Sequence, residues 1–261
     1  MTHARTARDE AIAPARPRKA DARVLIGMLT PSSNTILEPM CGRLLADLPE
    51  ITAHFGRFPV TEISLDSSAL EQFDRGPLLA AAQLLADARV DVIAWNGTSG
   101  GWMGLDQDRA LCAAITEATG IAATSSMLAL EEIFRLTGVT RFGLVTPYRD
   151  DVQARIVANL CREGFQCAAE QHLDLQTNFE FSEIDESTIA EMIRAVARSA
   201  PDAITVMCTN MRGAALAEAI EKEIGIPIYD TVATAIWSSL RIVGVDPRRI
   251  VDWGCLFRDV R

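Results

Sequence analysis

The sequence predicts an α/β fold built from two similar units, each with a parallel sheet flanked by helices, and three observations carry that prediction. Short, nearly continuous apolar runs alternate with longer amphipathic ones, the pattern of buried parallel strands joined by crossover helices. The order of landmarks repeats within the chain. The 261 residues are 49% hydrophobic, 23% charged and 6% aromatic, an ordinary globular composition with room for one large domain or two small ones.

Val24–Leu29, Val90–Ala94, Phe142–Val145 and Ala203–Met207 are the apolar runs. Between them, Leu78–Ala88, Arg109–Ala118, Val152–Cys161, Ser187–Ala197 and Gly213–Ile224 carry helical periodicity. Gly27-Met28-Leu29-Thr30-Pro31 returns as Gly143-Leu144-Val145-Thr146-Pro147 at an offset of 116. The run from Asp91 to Thr98 returns from Asp202 to Thr209 at an offset of 111. Gly120-Ile121, with a helix ending at Gly138-Val139, returns as Gly225-Ile226 with a helix ending at Gly244-Val245. Matched landmarks in one order describe a duplication with a pseudo-twofold axis.

Charge divides the chain. Residues 1–23 hold six Arg or Lys and three acids, so the tail is +3 and the remainder −13 of a net −10. The tail has no apolar h-region, and residues 1–22 are read as a disordered extension. The body carries no basic footprint for nucleic acid or anionic lipid, and no apolar run approaches the roughly 18 residues of a membrane span. A cytoplasmic protein with free thiols is expected. Cys41, Cys112, Cys161, Cys167, Cys208 and Cys255 contain no CxxC pair, so their spacing offers no structural zinc site.

Four polar turns end the principal strands: Thr30-Pro31-Ser32-Ser33-Asn34-Thr35, Asn96-Gly97-Thr98-Ser99-Gly100-Gly101, Thr146-Pro147-Tyr148 and Cys208-Thr209-Asn210. Ligands of open α/β sheets bind beyond the carboxyl ends of strands. Hydroxyls, amides and backbone N–H groups there suit a carboxylate. Each turn alone reads as capping and turn chemistry; their equivalent placement in a duplication favours a shared cleft. Cys208 ends a strand before a polar turn and a helical pattern. Helix-start N–H groups would lower its pKa, and it is the candidate acid or base. Cys112 and Cys161 read as fillers within helices.

On Pro31-Ser32-Ser33-Asn34-Thr35, Gly97-Thr98-Ser99, Thr146-Pro147-Tyr148, Thr177-Asn178-Phe179-Glu180 and Cys208-Thr209-Asn210, the chain resembles the aspartate/glutamate racemase superfamily, in the branch of maleate cis-trans isomerases and arylmalonate decarboxylases. The resemblance implies a cofactor-free active site between two α/β domains, a small carboxylate or dicarboxylate substrate and a homo-oligomer. It also implies that residues 228–261 pack with 23–122 as a first domain around a second at 123–227.

The departure from the family pattern is informative. Racemases and isomerases of the superfamily place a cysteine in each half, but here the counterpart of Cys208 is Gly97. Arylmalonate decarboxylases carry Gly-Thr-Ser at that point and keep only the second cysteine. Asn34, Asn178 and Cys208-Thr209-Asn210 are more isomerase-like. The expected reaction is loss of carbon dioxide from a malonate-type acid. Thr98, Ser99, Tyr148 and N–H groups near Thr209 would hold the retained carboxylate, Asn34 and Asn178 would orient the other, and Cys208 would protonate the enediolate. The alternatives are a cis-trans isomerase or racemase, and a carboxylate-binding protein without catalysis.

Three further features complete the expectations. Asp230 follows an apolar run at Ile228-Tyr229, and reads either as a helix N-cap or as a partner for a cationic substrate group. Gly97-Thr98-Ser99-Gly100-Gly101 also matches the hydrolase elbow G-x-S-x-G, although only His3, His54 and His172 are available as its base. Trp102 is placed at the wall or mouth of the cleft, and Trp95 and Trp237 in the core or at a subunit contact.

Overall fold

The computed structural model describes residues 23–261; the expected tail at 1–22 lies outside the described residues. The first half runs β1 (Val24–Pro31), α1 (Leu37–Leu44), β2 (Ile51–Phe58), α2 (Ser67–Glu71), α3 (Arg75–Asp87), β3 (Val92–Trp95), α4 (Ser99–Met103), α5 (Leu105–Thr119), β4 (Ala123–Ser125) and α6 (Ser126–Thr137). The second runs β5 (Arg141–Val145), α7 (Asp150–Arg162), β6 (Gln166–Gln171), α8 (Glu186–Ala197), β7 (Ala203–Val206), α9 (Ala217–Ile224), β8 (Ile228–Asp230), α10 (Thr231–Ile242) and α11 (Cys255–Asp259). Among the described residues no helix is long and apolar enough to cross a membrane.

The strands form two parallel four-stranded sheets, ordered β2-β1-β3-β4 and β6-β5-β7-β8. Renumbered within each half, both orders are 2-1-3-4, so the duplication read from the landmarks is a duplication of topology. β3 and β7 are buried along their whole length because helices cover both sheet faces. The edge strands β2 and β6 are only half-buried and carry polar residues such as His54, Arg57, Gln166 and Glu170. That is why neither shows as an apolar run. Helix ends repeat as well. Gly138 and Gly244 take left-handed φ of +70° and +75°, and the following N–H of Val139 and Val245 closes on Phe134 and Leu240. A Cβ would strain both turns.

α10 joins the halves. It starts at the end of β8 in the second sheet and packs on α6, α1, β3 and β4 of the first. Its residues Thr231–Leu240 are all buried. Thr124 and Ser238 share a 2.9 Å hydrogen bond, and the Thr234 hydroxyl donates to the Ser126 carbonyl. Burying each large apolar side chain of such a helix contributes about 1.5–3 kcal/mol before entropy is counted. Trp237 is fully buried, and its indole N–H donates to Val260 O at 3.1 Å, so it serves the core. β4 at 123–125 is an edge of the first sheet and β8 at 228–230 an edge of the second. Each therefore lies one strand across the borders expected at 122/123 and 227/228.

Candidate functional site

The strand orders fix where the turns meet. In each sheet the chain leaves the first strand in one direction and later returns to its other side. The crevice of such a sheet opens between those neighbours, at the carboxyl ends of β1 and β3 and of β5 and β7. The four turns that follow these strands are the four singled out by sequence.

Hydrogen bonds between halves bring most of the candidate residues together. Asn34 Nδ2 donates to the Thr209 carbonyl at 3.1 Å and to Thr209 Oγ1 at 3.2 Å. Thr209 Oγ1 in turn donates to the Asn96 carbonyl. Asn210 Oδ1 accepts from the N–H of Thr35 at 3.0 Å, and its Nδ2 donates to the Asn178 carbonyl at 2.6 Å. Asn178 Nδ2 donates to Ser33 Oγ at 2.7 Å, and Ser33 donates to the Val60 carbonyl. Thr98 Oγ1 and the Tyr148 hydroxyl lie 2.6 Å apart. Asn34 Oδ1 also accepts from the N–H groups of Ile36 and Leu37, capping α1. Its amide is thus engaged on both sides by the protein, a framework for the Thr209 turn.

Cys208 is 2% exposed. The expected lowering of its pKa is corrected. Burial dominates and pushes the thiol up to about 12, with the nearby Asp230 carboxyl adding to the rise. The Asn210 N–H and the Tyr148 hydroxyl oppose this without overcoming it. Burial is weakly opposed because Cys208 is followed by a turn, and the next helical residues are a short 3-10 segment at Ala214–Leu216. A group of helix-start N–H donors is therefore not assembled at the sulfur. At neutral pH the Cys208 thiol is protonated.

Gly97 sits against Trp95. A Cβ placed on it would come 2.0 Å from the indole Cζ2. The Trp95 Nε1–H donates to Ser99 Oγ at 3.3 Å, which leaves the Ser99 hydroxyl proton available for another acceptor. Aromatic rings continue from there: Trp102 packs edge-on against Tyr148 at 5.3 Å between centroids and against Phe73 at 5.8 Å, and Tyr148 against Phe181 at 5.5 Å. Trp102 thus buttresses Tyr148, and its own buried Nε1 finds no hydrogen-bond partner.

Asp230 caps α10. Its Oδ1 accepts from Val232 N–H at 2.8 Å and Ala233 N–H at 3.4 Å, and the carboxyl is 1% exposed. Burial raises its pKa to about 7. Sequence reasoning missed a second buried carboxyl, Asp108. It is equally buried on α5, raised to about 7, and held by the Ser125 hydroxyl that caps α6. A signal existed, because Asp108 interrupts the apolar stripe Leu105, Leu111, Cys112 and Ile115. The hydrolase reading finds no support in these contacts. His54 is bonded to Thr52 and His172 to Glu170 and Asp150, whereas Ser99 pairs with Trp95. His3 lies outside the described residues.

A family model described as arylmalonate decarboxylase matches residues 34–255. The arylmalonate decarboxylase of Bordetella bronchiseptica is 26% identical over 235 residues, covering 89% of this chain and 95% of its own. A maleate isomerase of Nocardia farcinica (strain IFM 10152) is 29% identical over 225 residues, covering 83% and 88%. A mutant Nocardia farcinica maleate cis-trans isomerase with a covalently bound succinylcysteine intermediate has a TM-score of 0.85 at 26% identity, over 92% of this chain and 100% of that one. A crystal structure of arylmalonate decarboxylase, at 24% identity and TM-score 0.74 over 90% of this chain and 99% of that one, shares the fold.

Proposed function

The chain belongs to the arylmalonate decarboxylase family, and from that premise we propose that it is a cofactor-independent decarboxylase of a malonate-type acid in which Cys208 is the proton donor. It is a lyase or isomerase of the arylmalonate decarboxylase and maleate isomerase type. The observation that carries the decarboxylase reading is the asymmetry of the two strand ends: a protonated, buried thiol at Cys208 and a glycine closed off by Trp95 at position 97.

Thr98, Ser99, Tyr148 and the turn at Thr209-Asn210 receive the retained carboxylate. Asn34, Asn178 and Ser33 hold that turn in register across the halves. The bond from the α-carbon to the second carboxylate breaks, carbon dioxide leaves, and the electron pair becomes an enediolate on the retained carboxylate. Preorganised donors stabilise this charge as it forms. The Cys208 S–H then gives its proton to the α-carbon, and the thiolate left behind is held by the Asn210 N–H and the Tyr148 hydroxyl until solvent reprotonates it. One donor on one face delivers one product enantiomer. Asp230 serves as the cap of α10 and as a neighbour that keeps the thiol protonated.

The test is turnover of phenylmalonate and maleate in deuterated water. Carbon dioxide release with one deuteron at the α-carbon of a single enantiomer is expected, and Cys208→Ala should lose about 100-fold or more in kcat. Fumarate from maleate, without carbon dioxide from phenylmalonate, would replace this reading with the isomerase one.

A further inference from the structure

The carboxyl ends of β3 and β7 make opposite choices at the same two positions. At the repeat offset of 111, Trp95 corresponds to Val206 and Gly97 to Cys208. Residues two apart on an extended chain face the same side. The second half thus places a small side chain and then a thiol, and the first half places the largest side chain and then none. Volume is exchanged between the two positions.

The geometry shows that the exchange is obligatory as built. A Cβ on Gly97 would lie 2.0, 2.3 and 2.6 Å from three atoms of the Trp95 indole, distances that real Cβ atoms do not adopt. Nor is the ring free to swing aside. Trp95 is 1% exposed, its ring packs on Phe58 at 5.2 Å between centroids, and its Nε1–H is bonded to Ser99 Oγ. Any side chain at 97 has to displace a ring held from two directions.

We propose that Trp95 is a specificity-determining residue: its indole takes the volume of a first-half acid and confines proton delivery to the Cys208 side. The exclusion rests on sterics alone, and its consequence for proton delivery rests on the decarboxylase reading. Two-sided chemistry would need a second thiol. A thiolate on one face would take the α-proton to give the enediolate, and a thiol on the other would return one, exchanging their protonation states. Gly97→Cys by itself does not supply this, because the thiol has no room beside Trp95.

A double-mutant cycle of Trp95→Leu and Gly97→Cys tests the exclusion without any substrate. Gly97→Cys in the native background is expected to lower Tm by about 5 °C, the size of an overpacking penalty. In the Trp95→Leu background the same substitution should cost no more than about 2 °C. If Gly97→Cys alone is not recovered folded, recovery of the double variant supports the proposal. An equal loss in both backgrounds, or failure of both, overturns it. The consequence is read from an optically pure 2-arylpropionate in deuterated water. The double variant should exchange and racemise it at least about tenfold faster than either single variant. Equal rates in Gly97→Cys and the double variant, or no exchange in the double variant, overturn it. No carbon dioxide release by the wild type, with the stability cycle as expected, counts against the decarboxylase reading and leaves the exclusion by Trp95 standing.

Discussion

Thr98 and Tyr148 come from opposite halves of the chain, yet both are buried and their hydroxyl oxygens stand 2.6 Å apart. The same Tyr148 hydroxyl supports the Cys208 sulfur. It therefore connects the turn proposed to hold the retained carboxylate with the proposed proton donor. Tyr148→Phe keeps the ring contacts to Trp102 and Phe181 and deletes only the hydroxyl. A loss of about 10²–10³-fold in kcat with a smaller change in KM is expected, as for one donor removed from an oxyanion site. Steady-state kinetics at fixed pH, with a melting curve to confirm folding, checks it. An unchanged kcat would remove Tyr148 from the reaction.

The high pKa of Cys208 sets its reactivity. A thiol at about 12 holds almost no thiolate at pH 8, whereas alkylation requires thiolate. Cys161 is exposed and should be modified first by iodoacetamide. Cys208 should stay unmodified at pH 8 for as long as the fold is intact, as peptide mapping by mass spectrometry would show. By the same reasoning, kcat should not fall between pH 7 and 10 through loss of the Cys208 proton.

Asp108 and Asp230 make stability depend on pH in an unusual direction. Both carboxyls rise from 3.8 to about 7 because burial penalises their charge. A raised folded-state pKa means the folded chain binds more protons between pH 4 and 7. Their contribution is fully present below about pH 4, is lost progressively as pH climbs toward 7, and is gone above it. Each such shift is worth on the order of 4 kcal/mol. Asp230→Asn keeps an oxygen for the N–H groups of Val232 and Ala233 and removes the titration. It is expected to raise Tm by about 3 °C or more at pH 8 and to leave it nearly unchanged at pH 4. Equal shifts at both pH values would show that Asp230 does not titrate in this window.

What was legible in the sequence follows from what each residue faces. β1, β3, β5 and β7 declared themselves because strands covered on both faces must be apolar throughout. β2 and β6 did not, since an edge strand can carry His54 or Glu170 toward water. The four turns stood out because the duplication placed them at equivalent points, and the shared 2-1-3-4 strand order explains why they converge. The pKa of Cys208 was misread because the pattern after it looks helical from Gly213 onward, while the residues directly beyond the sulfur form a turn. Trp95 was rightly read as buried. Its conflict with position 97 was implicit in their spacing of two residues, but only the ring's orientation shows it.

A substrate has to reach residues that are almost wholly buried. The loops after β2 and β6 clasp each other over the junction of the halves. Ile63 N–H donates to the Gln176 carbonyl and Asn178 N–H to the Thr61 carbonyl, each at 2.9 Å, around the antiparallel bridge between Glu62 and Thr177. Asn178, tied to Ser33 and Asn210, continues directly from this clasp. In this hydrogen-bond pattern Glu62 and Thr177 are the closely spaced, non-bonded pair, with Cα atoms about 4.5 Å apart, within the range a disulfide spans. Glu62→Cys with Thr177→Cys should therefore cross-link under mild oxidation. With this clasp as the entry route, the oxidised variant should lose about tenfold or more of its turnover and regain it on reduction. Full activity in the cross-linked state, with the disulfide confirmed by mass spectrometry, would show that substrate enters by another route.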